Sequence, residues 1–258
     1  MTRSKGSNRT ARNLIYLFLI LLLTAGAAYL GYRNYYRPSF VHYSAFGISI
    51  PRNYSIHGID VSRYQKNIGW KLLEEMKVDG VKIGFAFMKA TEGLTSIDRH
   101  FQRNWKNAGK TKVTRGAYHF FNASKSGKAQ AVHFLEVVSL EKGDLPPVLD
   151  VEQMNGVSVS TLQNRVAEWL ELVEKKYKVK PIIYTNADFY EKNLAARFDE
   201  YPLWVAHYFV KDKPRIKRKW HFWQHSETGR VNGINARVDF NVFNGDSSNF
   251  KKMLLPQR

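Results

Sequence analysis

Pro146-Pro147-Val148-Leu149-Asp150-Val151-Glu152 is an apolar run that ends in two acids one residue apart. It is short, rich in branched residues and preceded by two prolines, so it reads as a buried strand. Side chains two apart on a strand share a face. Asp150 and Glu152 therefore sit side by side, with Cα atoms roughly 6.5–7 Å apart.

Similar runs recur on both sides. Candidate strands are Ser55–Val61, Lys82–Ala90, Val113–Phe120, Pro147–Val151, Pro181–Tyr184, Leu203–Ala206, Trp220–Gln224 and Val238–Phe240. Candidate helices are Trp70–Lys77, Asp98–Ala108, Gly127–Leu140 and Val159–Tyr177. The last carries Leu162, Val166, Trp169, Leu170 and Val173 at helical spacing, with Ser158 or Ser160 as cap. Strands alternating with helices predict an α/β fold, a parallel TIM-like barrel of eight strands. The later connections are too short for full helices, so the helical set is incomplete.

The C-terminal strand ends of such a barrel form its active face. Asp60, in His57-Gly58-Ile59-Asp60-Val61-Ser62, and Asp239, in Val238-Asp239-Phe240-Asn241, belong to two further strands. Four carboxylates then converge. A single acid at a strand end more often caps the next helix. The pair Asp150 and Glu152 is different: like charges on one face keep one member protonated, which is what glycoside cleavage needs. Tyr118, Tyr184, Trp204 and Tyr208 lie at or near strand ends, as aromatic faces for sugar rings, and Gln224 is a hydrogen-bonding neighbour.

The chain has no GxGxxG, Walker A, GxSxG or HExxH motif. It has no Cys, which excludes a thiolate metal site and a cysteine nucleophile. Its eight His are scattered with no pair at helical ligand spacing, so neither metal nor cofactor is expected.

Of the 258 residues, 40 are Lys or Arg and 22 are Asp or Glu, a net charge of +18. Residues 14–32, LIYLFLILLLTAGAAYLGY, are uncharged and about 28 Å long as a helix, close to the ~30 Å hydrocarbon core. Arg3, Lys5, Arg9 and Arg12 precede them without an acid. The positive-inside rule makes residues 1–13 a cytoplasmic tail, 14–32 a transmembrane signal anchor and the remainder extracytoplasmic. Tyr32, Tyr35, Tyr36, Arg33 and Arg37 resemble an interface belt. The alternative is a signal peptide cleaved near Ala25-Gly26-Ala27, which secretes the rest. Residues 33–54 read as a juxtamembrane linker, 55–248 as the barrel and 249–258 as a C-terminal tail. Since 36 of the basic residues lie beyond the tail, the expected partner is an anionic membrane or wall polymer, not nucleic acid. Lys211–Lys219 is the most basic loop, with six Lys or Arg in nine residues.

Taken in order, the segments resemble the glycoside hydrolase family 25 lysozymes, the Chalaropsis-type N-acetylmuramidases. The matching residues are His57-Gly58-Ile59-Asp60-Val61-Ser62 with Gln65, Lys89-Ala90-Thr91-Glu92-Gly93, and Asp98, Phe101, Asn104 and Ala108. Gly116-Ala117-Tyr118-His119-Phe120, Leu149-Asp150-Val151-Glu152, Tyr184-Thr185 and Leu203-Trp204-Val205-Ala206 with Tyr208 follow. Trp223-Gln224, Gly233 and Val238-Asp239-Phe240-Asn241 complete the set. One departure is Gly69 before Trp70, where the family commonly has Asp.

The resemblance implies a modified eight-strand barrel that hydrolyses the β-1,4 bond between N-acetylmuramic acid and N-acetylglucosamine in peptidoglycan. It implies Glu152 as general acid/base, Asp150 as its partner, and Asp60 and Asp239 lining the cleft. Asp150 is then either the nucleophile or the group that orients the sugar's 2-acetamido group to attack. Strand geometry favours the second, because the nominal separation exceeds the ~5–5.5 Å of a direct nucleophile. Direct inversion is a third route. A catalytically silent envelope-binding barrel is the alternative function.

Overall fold

The computed structural model describes residues 7–35 and 39–256 and divides into two units, Met1–Ser39 and Phe40–Arg258. In the first, α1 spans Ser7–Tyr35. Its stretch Arg9–Tyr32 has mean hydropathy 2.2, is unburied, and is long and apolar enough to cross a membrane or serve as a signal. Residues 1–6 of the basic tail, and Tyr36 and Arg37 of the interface belt, lie outside the described residues, as do the side chains of Arg33 and Tyr35.

The second unit is a closed eight-strand barrel: β1 His57–Val61, β2 Val81–Glu92, β3 Thr114–Phe120, β4 Val148–Asp150, β5 Ile182–Asn186, β6 Leu203–Ala206, β7 Phe222–Gly229 and β8 Val238–Phe243. Strands β1 to β7 follow one another in parallel. β8 is antiparallel to both β7 and β1, and closes the ring. The all-parallel expectation is corrected here for a physical reason. Residues 230–237 are too few for the crossover that a parallel strand needs.

Four expected helices form, as α2 Trp70–Glu75, α3 Phe101–Ala108, α4 Gly127–Val137 and α5 Val159–Tyr177. α5 begins where the Ser158 side chain accepts from Thr161 N and ends at Lys178, whose φ is +61°. Its buried stripe of Leu162, Val166, Trp169, Leu170 and Val173 faces the barrel wall and α4. Burying each such side chain contributes roughly 1.5–3 kcal/mol. Two short helices were not expected, α6 Ala187–Asn193 and α7 Ser247–Met253. They start at Asn186 and Asp246, whose side chains cap them. No helix occupies residues 207–221 between β6 and β7.

Aromatic rings fill the barrel. Phe85 and Phe87 of β2 meet Phe222, and Phe87 stacks on Trp204 with centroids 4.3 Å apart. β1 and β3 make room with glycine: a Cβ on Gly58 would stand 2.3 Å from the Phe85 ring, and one on Gly116 2.5 Å from Phe87. Phe250 of α7 packs on Phe85, Phe222 and Phe243.

Two boundaries differ from the sequence reading. Residues 40–51, read as linker, form a hairpin of Phe40–Tyr43 and Ile48–Pro51. Phe46, Ile48 and Ile50 are buried, with Phe46 against Phe240 and Phe40 against Trp223. The alternation Ile48-Ser49-Ile50 after Gly47 carries this signal. Residues 249–255 are likewise part of the packed unit, because Phe250 and Leu255 are buried and Leu255 N donates to Asp144 O.

Candidate active site

β1, β4 and β8 bring the four acids to one end of the barrel. Asp60 lies near the C-terminal end of β1, and Asp150 ends β4. Because β8 runs in reverse, its beginning sits at that same end, and Asp239 pairs in register with Asp60. Glu152 lies two residues past Asp150, half-buried, while Asp150 is buried.

A hydrogen-bonded net holds Asp60. Its Oδ2 accepts from Gln224 Nε2 at 2.8 Å and from Asn241 Nδ2 at 2.7 Å. Asn241 Oδ1 accepts from Trp204 Nε1 at 2.7 Å. Gln224 Oε1 accepts from Tyr184 Oη at 2.7 Å and also from Tyr208. Trp204 and Gln224 are almost wholly buried. With the Trp204 ring on Phe87 and both ends of the Gln224 amide engaged, they form the floor that positions Asp60 and the two tyrosines. Tyr118, Tyr184 and Tyr208 border the acids.

The electrostatics follow from crowding acids in a dry place. Burial, then repulsion from Asp60 and a hydrogen bond shared with it, push Asp239 up to about 9. Burial also raises Asp60, but donors from Asn241, Gln224 and Asp239 oppose the rise. The two acids therefore favour sharing one proton over ionising together. Burial raises Asp150 well above the usual carboxylate range, and Glu152 adds to it. Glu152 is raised by burial and by Asp60, against the pull of Lys89 and the Tyr184 hydroxyl. Asp150 Oδ1 has no hydrogen-bond partner among the described residues.

Lys89 and Asn241, quoted in the sequence pattern without a role, belong to this site. Lys89 Nζ pairs with Glu92 at 2.7 Å, lies 4.5 Å from the Phe120 centroid, and is the cation acting on Asp150 and Glu152. The alternation on β8 that puts Asp239 inside the barrel puts Asn241 there too. A cavity of about 400 Å³ on the far side of Tyr208 is lined by Asn186, Asp188, His207, Tyr208, Phe209 and Arg215, and by none of the four acids. Among the described residues, no three His, Asp or Glu side chains cluster as a metal site.

An eight-strand barrel with paired carboxylates at one mouth is a glycosidase arrangement, and comparison with known proteins agrees. The family model for glycosyl hydrolases family 25 matches residues 59–234. The protein YegX of Escherichia coli strain K12 is 49% identical over 210 residues, covering 81% of this chain and 76% of its own. Lysozyme M1 of Streptomyces globisporus is 37% identical over 214 residues, covering 75% and 69%. The structure of a family 25 glycosyl hydrolase from Bacillus anthracis superposes with a TM-score of 0.72 at 32% identity, covering 84% of this chain and 97% of that one. The chain belongs to glycosyl hydrolase family 25.

Proposed function

We propose that this chain is a peptidoglycan-cleaving muramidase in which Glu152 is the general acid/base and Asp150 its partner. The unpartnered Oδ1 of buried Asp150 carries the assignment. A buried acceptor without a donor is costly unless a ligand supplies one. The N–H of a sugar 2-acetamido group is such a donor. Hydrogen bonding to the ionised form favours it, so substrate draws Asp150 toward carboxylate and leaves the shared proton on Glu152. Glu152, nearer solvent, then protonates the glycosidic oxygen. The acetamido oxygen attacks the anomeric carbon, held by Asp150. Water opens the resulting ring with Glu152 as base.

Asp60 and Asp239 line the cleft. Tyr118, Tyr184 and Tyr208 contact the sugar, with Trp204 and Gln224 supporting from below. The substrate is extracytoplasmic, which suits α1 as an uncleaved single-pass anchor with the barrel outside the cytoplasm. The basic surface suits contact with an anionic leaflet or wall polymer.

Digestion of purified peptidoglycan by the full chain, with mass spectrometry of the new ends, tests this. Reducing N-acetylmuramic acid is expected. Reducing N-acetylglucosamine, or cut peptides, would refute it.

A further inference from the structure

A second groove, of about 450 Å³, lies outside the barrel wall beside the candidate site. One wall is the hairpin, with Phe40, His42 and Ser49; the other is β7, with His225 and Thr228; Phe209 stands at its rim. The hairpin precedes the family match, which begins at Ile59.

Three features show what the groove is built to hold. First, His225 is more than nine-tenths buried, yet neither ring nitrogen has a partner among the described residues. A neutral imidazole offers one donor and one acceptor, as a peptide unit does. Second, the β6 ladder ends at Ala206 opposite Gln224, so His225–Gly229 of β7 is paired by a strand only on the β8 side. A strand with one uncovered edge can add an extended peptide. Third, the flanks are basic. Lys211 and Lys213 follow the lining residue Val210, and Arg230 approaches Gly47; the nearby acids are Asp212 and Glu227. The groove also shares a wall with the cavity that Tyr208 lines, because Phe209 borders both. Phe209 is 99% exposed at a φ of +55°, an uncommon conformation for an aromatic residue.

We propose that this groove binds the acidic peptide stem carried by the glycan strand, so that the enzyme favours peptide-bearing over naked strands. The inference rests on the muramidase reading for its substrate. A glycan in the mouth presents its peptide substituents sideways, and the groove beside Tyr208 receives one. The peptide backbone meets the β7 edge above buried His225, its carboxylates meet Lys211, Lys213 and Arg230, and an apolar side chain meets Phe209.

The test compares soluble peptide-bearing glycan with the same glycan stripped by an amidase, using the full chain in detergent. Ser49→Trp and Thr228→Trp fill the groove from its two exposed walls, and their melting temperatures check folding. Wild type is expected to show about tenfold higher kcat/KM on peptide-bearing strands. Both variants should lose that preference and keep the stripped-glycan rate. Equal wild-type rates on the two substrates, or variants that keep the preference, would overturn the proposal. Variants that slow both substrates equally would make the occupant a saccharide and also overturn it. If wild type cleaves neither substrate, the muramidase reading fails by itself. Binding of the free acidic peptide released by the amidase, read by NMR on wild type and Ser49→Trp, then decides the groove: binding lost in the variant supports it, and no wild-type binding refutes it.

Discussion

Asp239 and Asp60 stand opposite each other in the antiparallel β8–β1 ladder, and burial beside Asp60 pushes Asp239 far above the usual carboxylate range. Asp239 is raised on folding to about 9, so folding favours its protonated form. The stability this contributes is fully present below the ordinary carboxylate pKa and is lost as pH rises toward 9. Asp239→Asn keeps a neutral donor to Asp60 and removes that loss. The variant should melt roughly 2–4 °C higher at pH 8, about 1 kcal/mol, with the gain vanishing toward pH 4. A pH series of thermal melts measures it; an unchanged difference across the series contradicts the shared proton.

Glu152→Gln should fold as wild type and lose cleavage on the order of 10²–10⁴-fold. Turnover of purified peptidoglycan, beside a circular dichroism melt, checks this. Near-normal turnover in a folded variant removes Glu152 from its role.

The buried histidines act in the opposite sense to Asp239. Burial lowers His57 to about 4 and His225 to about 3, the latter with a small push from His57. Folding favours their neutral forms, so the stability they contribute is present above the ordinary His pKa near 6.5 and is lost as pH falls toward 4 and below. His225 sits edge-on to Trp223 and Phe40, with Phe240 beside it, so His225→Phe suits its surroundings. The variant should lose less melting temperature than wild type between pH 7 and 5. Parallel curves would show that His225 does not titrate on unfolding.

The basic loop divides by function. Arg218 is tied inward, to Phe198 O at 3.0 Å and to Tyr190 and Tyr201, so its replacement should destabilise the barrel. Arg215 lines the cavity shared by His207, Tyr208 and Phe209. Lys211, Lys213, Lys217 and Lys219 point to solvent. Changing these four to Gln should weaken sedimentation with anionic vesicles at low salt, each contributing ~1 kcal/mol near the surface. Cleavage of short glycans stripped of peptide should hold. Unchanged sedimentation would leave the loop as a solvated charge run.

α1 should keep the full chain in membranes through a carbonate wash, and added protease should shave the barrel from the outer side. An N-terminus at Ala28 or Tyr29 would instead mean cleavage.

Val148–Asp150 was legible because the prolines, the apolar run and the two acids agree on one strand and one end. The amphipathic stripe of α5 was equally plain. The reversal of β8 was not, since residues 238–243 look the same in either direction; only the short connection before them distinguishes the two. The Phe40–Pro51 hairpin was hidden by its position next to an apolar helix, where aromatic residues read as membrane interface. The sequence reads Trp204 and Gln224 as sugar contacts, while their bonds to Asn241, and to Asp60, Tyr184 and Tyr208, need the structure to be seen. Residue type and strand position do not specify which neighbours a side chain bonds across the barrel.

The Gly58–Phe85 and Gly116–Phe87 contacts constrain how this barrel can vary over evolution. Each glycine is the empty half of a volume shared with a ring on β2. Neither half can change alone: a methyl at 58 or 116 collides, and a smaller residue at 85 or 87 leaves a void. Divergent members that fill either glycine position are therefore expected to have surrendered the matching ring, so these sites should drift as linked pairs.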